Sequence, residues 1–444
     1  MKKIIDTIKN IFSIEDLRKR IINTFLYLLM FRIGSYIVLP GIDSSRLADS
    51  SGGMLGLINT FAGGAFGRAS ILALGIMPYI SASIVIQLLT IAVPQFQRMA
   101  KEGEEGRTKL NQYTRIFTIA ITFIQAFGFL ATLRGQGGAS PIINDNFAFL
   151  VSTIIFLIAG TVFTMWLGER ITDKGIGNGI SLIIMVGILA RFPQAIWGEL
   201  SARSTQGGGG LFVFLVEIVF LLLVIAFTIL LVQGTRKIPV QYAKRVIGNK
   251  QYGGARQWLP LKVNQAGVMP IIFAQAIMFI PGTIAQLFRG NPFWDGVAMN
   301  FNSQNSWVYD VSLALTIIAF TYFYTAITIN PVQIADEMKR NNGFVPGVKP
   351  GKSTADFIDN VMSRITLPGS IFLALIAIMP GLTRVFGLST NFSQFFGGTS
   401  LLIMVGVLLD TLQQIESQLT MRHYDGLMKG GNRIKGRTQQ VQSM

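Results

Sequence analysis

Residues 207–264 read GGGGLFVFLVEIVFLLLVIAFTILLVQGTRKIPVQYAKRVIGNKQYGGARQWLPLKVN. From Leu211 to Val232 this stretch carries one charge, Glu217, and is long enough to cross about 30 Å of hydrocarbon as a helix. From Gly234 to Asn264 it holds seven cations and no acid. An apolar run ending in a block of Lys and Arg is the pattern of a membrane span whose following loop stays on the non-translocated side.

Nine further runs of spanning length lie on either side of it. The ten expected spans are Ile21–Pro40, Leu72–Val93, Ile116–Leu133, Phe147–Leu167, Gly179–Trp197, Leu211–Val232, Ala266–Phe288, Val311–Ile329, Leu367–Leu382 and Thr399–Ile415. Every lysine falls in alternate gaps between them, together with most of the arginines. The opposite gaps hold Arg46, Arg68, Arg134, Arg203, Arg289 and Arg384 only, while Arg32 and Arg191 sit inside spans. That asymmetry predicts a polytopic membrane protein with both termini in the cytosol. Composition agrees: 14% of residues are charged, against about a quarter in soluble proteins. The net charge of +16 therefore belongs to one face, which can meet anionic lipid or ribosomal RNA.

The N-terminal arm, Ile4 to Leu17, sets Ile4, Ile8, Ile11, Phe12 and Leu17 on one helical face, as in a helix lying on a membrane. The first apolar run is too long for a cleaved signal peptide and lacks a small-x-small site. The tetraglycine Gly207–Gly210 separates two sets of five spans. An odd number per set gives the halves opposite orientations, the signature of an inverted repeat, although a glycine run also serves as a plain linker. The expected division is 1–206, a hinge at 207–210, 211–415, and a cytosolic tail at 416–444.

Two stretches are neither span nor ordinary loop. Met54 to Arg68, MLGLINTFAGGAFGR, places Met54, Leu57, Ile58, Phe61 and Ala65 at helical spacing but is too short to cross. It either lies on the outer surface or folds back into a cavity. In 234–264, Ile238, Val240 and Tyr242 alternate with polar residues up to Gly248 and Asn249, which predicts a β-hairpin standing off the membrane. Its cations (Arg236, Lys237, Lys244, Arg245, Lys250, Arg256, Lys262) interleave with Tyr242, Tyr252 and Trp258. Such a segment orients the chain or contacts lipid, and its length adds docking to an acidic or RNA partner.

Machinery for chemistry is missing. There is no cysteine and a single histidine, His423, so no metal site, cofactor site or catalytic triad is expected. Gly347 to Ser353 (GVKPGKS) imitates a phosphate loop, but three residues separate its glycines where four are needed, and no strand pattern precedes it. The charges Arg32, Arg191, Glu217 and Asp410 within spans point to structural pairing or snorkelling. An ion-coupled secondary transporter of a small solute would instead use Glu217 and Asp410. A membrane scaffold is a third class.

Seven segments carry a resemblance: Pro40–Asp43, Arg68–Leu89, Glu105–Arg115, Met165–Ser181, Leu259–Pro270, Phe344–Gly351 and Gly397–Ile403. Together they resemble the SecY family, channel subunits of the bacterial Sec protein translocase. The resemblance implies an all-α bundle of ten transmembrane helices in two inverted five-helix halves around a central pore, with a short re-entrant plug helix. It implies a pore ring of Ile80, Ile84, Ile184, Ile188, Ile272 and Ile403. It makes the stretch containing Met54, Leu57, Ile58, Phe61, Gly63 and Gly64 the plug. Gln87 and Gln275 are expected near a lateral gate bordered by the second, third, seventh and eighth spans. Arg236, Lys244, Arg245, Lys250, Arg256 and Lys349 are expected to dock partners, with loop 330–364 as the second docking site. Two positions depart from the family pattern: Lys349 stands where arginine is usual, and Arg191 where an apolar or small residue is.

The implied activity is the passage of unfolded secretory polypeptides across the bacterial plasma membrane, and of membrane segments sideways into lipid. The implied partners are SecE-like and SecG-like subunits, the SecA motor ATPase, the ribosome, signal-sequence-bearing polypeptides and anionic lipid. The chain itself would be no enzyme.

Overall fold

The computed structural model describes residues 14–43, 47, 59, 62–134, 141–143, 146–205, 210–242, 245–247, 250–252, 256–275, 277–278, 292–302 and 306–429. The expected surface helix of the N-terminal arm lies outside these residues up to residue 13, as do 207–209 of the glycine hinge.

Helix α1 spans Glu15–Gly34. The expected first span ran six residues further, to Pro40. Residues 37–39 instead leave the helix and pair with 69–71: Leu39 N–H donates to Ala69 and Ile71 N–H to Ile37, both at 2.9 Å. Helix α2 covers Met77–Ala92 and α3 Pro94–Lys101. The pair bends by 99° between them, where Pro94 cannot continue the hydrogen-bond ladder. Next come α4 (Glu104–Arg134), α5 (Phe147–Lys174), α6 (Gly179–Thr205) and α7 (Gly210–Gln233). The expected seventh span is helical at 269–275 and 277–278, and its remaining residues beyond 278 lie outside the described set. Helix α8 (Pro292–Asn302) occupies a gap read as loop from the sequence. Helix α9 is Trp307–Thr328 and α10 Pro331–Arg340. The 34-residue α11 (Lys352–Val385) contains both Pro368 and Pro380, and a short α12 (Thr390–Ser393) precedes α13 (Gly398–Lys429).

Among the described residues, seven helices are long and apolar enough to cross a membrane, and eight if the bent α2–α3 pair is one span. The helices at the other two expected spans are α1, which carries charges at its start and Arg32 near its end, and the partly described seventh. No more than 44% of any spanning window is buried. The outward faces are apolar: Leu211, Phe212, Leu222, Leu223 and Leu230 on α7 are 60–71% exposed. Water does not tolerate a surface of that kind, whereas hydrocarbon does. The chain is an all-α polytopic membrane protein.

One β element interrupts it, at the lysine-rich end. Strand β1 (Thr235–Tyr242) pairs antiparallel with β4 (Arg256–Lys262), Thr235 opposite Lys262 through Gln241 opposite Arg256. At the tip β2 (Arg245–Ile247) pairs with β3 (Lys250–Tyr252). The hairpin expected from the alternating pattern is thus present. The sequence reading missed β5 (Gly343–Phe344), which adds to the other edge of β1. β5 also precedes the Gly347 loop, where no strand was expected, but the glycine spacing still cannot form a phosphate cradle.

Candidate functional site

The isoleucines of α2, α6, the seventh span and α13 come from four separate stretches of sequence. Ile184, Ile188 and Ile403 are buried in a single apolar cluster, and Ile80 and Ile272 pack against it half-buried. Ile188 is fully enclosed, at 0% exposure. On α6, Ile184 and Ile188 are spaced i,i+4 and share one helix face. Ile272 stands near the lysine-rich start of its span, yet the structure brings it to the same cluster as Ile403. Ile84, one turn beyond Ile80, is also buried but is not part of this cluster.

The cluster has a second layer that the sequence reading did not single out. Phe392, Phe395 and Phe396 enter it from the short segment before α13. Phe395 meets Phe192 of α6 edge-on at 5.1 Å, and Phe396 stacks on Phe220 of α7 at 5.8 Å. The signal was visible as three phenylalanines in a polar loop, TNFSQFF, where a loop facing water needs none.

Beside the cluster lie residues 62–68, the described end of the Met54–Arg68 stretch. Met54, Leu57, Ile58 and Phe61 fall outside the described residues. Gly63 and Gly64 are described, with φ of +64° and +86°. These left-handed residues turn the chain, so that 62–69 runs as successive turns where the spacing predicted helix. The segment is not on the surface. Ala62, Ala65, Phe66 and Ala69 are buried against Ala126, Phe129 and Leu130 of α4. A Cβ on Gly63 would come within 2.9 Å of the Gly187 Cα, which lies between Ile184 and Ile188 on α6. Only glycine fits there.

The two glutamines stand apart from each other's hydrogen bonding. Gln275 bonds Thr399 of α13 at 3.2 Å, while Gln87 reaches Ser83 one turn back at 3.5 Å.

Of the charges within the spans, Glu217 is held in an ion pair. Arg203 bridges Glu199 on α6 at 3.1 Å and Glu217 on α7 at 2.6 Å. It also donates to the Gly387 carbonyl at 3.0 Å, and the Ser389 N–H donates to Glu199 at 3.1 Å. All three side chains are at most 12% exposed. Glu217 is therefore committed to an ion pair that joins two consecutive spans to the loop after α11. Asp410 is exposed, so the carboxylate pair of a coupled carrier is not assembled in one cavity.

At the lysine-rich end the two expected docking loops form one body. Ile238, Val240 and Leu261 of the hairpin share a core with Met338, Val345, Ile358 and Met362 of the second loop. Alternation leaves Lys237, Pro239, Trp258 and Pro260 facing out, in the cross-strand pairs Lys237–Pro260 and Pro239–Trp258. Arg236 and Lys349 are exposed, and the Lys349 carbonyl accepts from the Thr354 hydroxyl at 2.9 Å. Arg245, Lys250 and Arg256 lie on described strands, while Lys244 and the side chains of the other three lie outside what is described.

Comparison with known proteins bears on this arrangement. A family model described as SecY matches residues 70–412. The chain is 44% identical over 435 residues to the protein translocase subunit SecY of Streptomyces galbus, covering 94% of this chain and 98% of that one. It is 41% identical over 455 residues to the corresponding subunit of Chlamydia trachomatis, covering 97% and 99%. Among solved structures it is similar to one described as the structure of a protein conducting channel, with TM-score 0.65, 17% identity, and 93% and 95% of the two chains covered. It is also similar to Sec61 in the canine ribosome–channel complex, with TM-score 0.61 at 17% identity and the same coverage. At such identities the structural likeness establishes the fold.

Proposed function

The chain belongs to the SecY family, and from that premise we propose that it is the protein-conducting channel subunit of a Sec translocase, a multi-pass protein of the plasma membrane. The observation that carries the mechanism is the meeting of five isoleucines from four spans in one apolar core, with Gly63 seated against Gly187 beside it.

The physics of such a waist suits an unfolded polypeptide. A constriction lined by aliphatic side chains excludes water and ions by dewetting. It offers no hydrogen bond that would hold one peptide sequence over another. Ile80, Ile84, Ile184, Ile188, Ile272 and Ile403 form the ring in this reading, and the stretch containing Gly63 and Gly64 is the plug. The two five-span halves, 1–206 and 211–415, part around the 207–210 hinge with both termini cytosolic. Membrane segments leave between the second and third spans on one side and the seventh and eighth on the other, past Gln87 and Gln275.

In this reading a partner supplies the energy. The hairpin and the 330–364 loop, fused through β1 and β5, provide the platform for that partner, a SecA-like motor or a translating ribosome. Arg236, Lys244, Arg245, Lys250, Arg256 and Lys349 are its docking residues in this reading. Lysine at position 349 keeps the charge but not the bidentate geometry of arginine. SecE-like and SecG-like subunits complete the assembly, and the basic face also meets anionic lipid. Buried pairing of Glu217 with Arg203 disfavours an ion-coupled carrier.

Site-specific photocrosslinkers at Ile80 and Ile184 test the assignment. A stalled secretory precursor should crosslink at both. Adducts elsewhere in the chain with none at these two positions would remove the isoleucines from the translocation path.

A further inference from the structure

The arginine in the first span, Arg32, and the arginine that ends the plug segment, Arg68, converge on one backbone carbonyl. Arg68 Nη2 donates to the Gly63 oxygen at 2.9 Å and Arg32 Nη1 donates to the same oxygen at 3.3 Å. Arg68 Nε donates to the Gly64 oxygen at 3.1 Å. Both guanidinium groups lie over the Tyr36 ring, at 4.0 Å for Arg68 and 5.5 Å for Arg32, and Arg32 also donates to the Tyr36 hydroxyl at 3.4 Å.

Position matters as much as contact. Residues 69–71 are pinned to residues 37–39 by the Leu39–Ala69 and Ile71–Ile37 hydrogen bonds and by the Val38–Ser70 bridge. Ala69 at this anchor is fully buried and adopts φ +46°, a conformation alanine takes only when its surroundings impose it. The downstream end of the plug segment is thus fixed to the first span. Arg32, Tyr36 and Arg68 all stand on or next to that fixed base. The carbonyls they hold belong to Gly63, which is seated against Gly187 of α6, and to its neighbour Gly64.

We infer that Arg32 and Arg68, stacked on Tyr36, are positioning residues that clamp the Gly63–Gly64 turn against Gly187 and so hold the channel shut at rest. The inference rests on the plug reading of this segment. Left-handed φ at both glycines turns their carbonyls toward the guanidinium groups, and a charge-assisted hydrogen bond is the strong kind. Opening then requires the carbonyls to leave the clamp while the base stays in place. The two guanidinium groups remain together on the Tyr36 ring afterwards, ready to receive the turn again.

The test uses the channel assembled with its membrane subunits in proteoliposomes. Resting potassium and chloride flux is measured for Arg32→Gln, Arg68→Gln, the double variant, Tyr36→Leu, and a chain lacking residues 54–66. Removing one charge-assisted hydrogen bond from the closed state should raise resting flux roughly tenfold or more. The double variant should exceed either single one, and Tyr36→Leu should fall between them and the unaltered chain. Hydrogen exchange at the amides of residues 62–67 should accelerate in parallel, which a mere change in pore electrostatics would not produce. If deletion raises both fluxes but the arginine variants stay as tight as the unaltered chain, the clamp is wrong and the plug stands. If deletion also leaves the flux unchanged, the plug reading itself is wrong. Should the double variant fail to assemble, Arg68→Gln decides by the same two measurements.

Discussion

Two interiors of this molecule are built on opposite principles. The waist at Ile188 and Ile403 is apolar and draws on many weak contacts, its isoleucines coming from four spans. The knot at Arg203 is ionic and draws on a few directional bonds between α6, α7 and the Gly387–Ser389 loop. Apolar surfaces separate and rejoin without leaving a polar group stranded. A buried ion pair does not, because each charge that loses its partner faces several kcal/mol of desolvation. On the proposed reading the waist parts while the knot stays closed, and the two halves would pivot where the charges are.

The largest effect should come from breaking the knot. Arg203→Met leaves Glu199 and Glu217 buried and facing each other, and should destabilise the folded channel by about 3–5 kcal/mol. Thermal unfolding of the detergent-solubilised assembly reads this. Converting Glu199 and Glu217 to Gln in the same chain should recover most of the loss. An Arg203→Met variant as stable as the parent would mean that the pivot lies elsewhere.

The next effect should come from making the waist resemble the knot. Ile188 has 0% exposure, and Ile188→Asn puts an unpartnered amide in the closed core. That penalises the closed form by about 1–3 kcal/mol and should raise resting ion flux accordingly. Unfolding temperature should move less than for Arg203→Met, because the open form can hydrate the amide. Equal sensitivity of the two sites in both measurements would erase the distinction between a parting surface and a pivot.

A smaller effect is expected at the platform, where Arg236 is exposed. Arg236→Ala should leave unfolding and resting flux unchanged while weakening ribosome binding. If Arg236 meets a phosphate, the dependence of log affinity on log salt should become shallower by about 1. An unchanged slope would assign the hairpin's contact to Trp258 and its neighbours instead.

Legibility in the sequence follows the same division. Most spans were readable because hydrophobic length is a property of single segments. The β1–β4 hairpin was readable from local alternation through Ile238, Val240 and Tyr242. Neither β5 nor the shared core at Met338 and Ile358 was readable, since a two-residue edge strand has no periodicity of its own. Arg32 and Glu217 were visible as charges in apolar runs, and pairing was the expected fate. Their partners, the Gly63 carbonyl and Arg203, depend on tertiary contacts that no local pattern encodes. For the isoleucines, residue type alone says only that they are apolar. Their convergence came from family resemblance and is consistent with the cluster around Ile188. The spacing from Met54 suggested a helix through Ala65, whereas the left-handed Gly63 and Gly64 make 62–69 a run of turns.

The smallest effect should follow Ile80→Leu. The residue packs half-buried at the rim of the waist, and a volume-conserving exchange between aliphatic side chains changes stability by less than about 1.5 kcal/mol. A waist that works by excluding water needs bulk and apolarity at this position, with no particular branching. Translocation rate, resting flux and unfolding should all stay near the parent values. This near-silence separates two ideas of the ring that larger substitutions confound. If the isoleucines are a generic gasket, leucine serves at Ile80 as it would at Ile403. If instead the β-branched shape itself interlocks across the four spans, Ile80→Leu should leak at rest while remaining as stable as the parent. In that case the apolar interior would be as directional as the ionic one, and the contrast between them would be one of chemistry only.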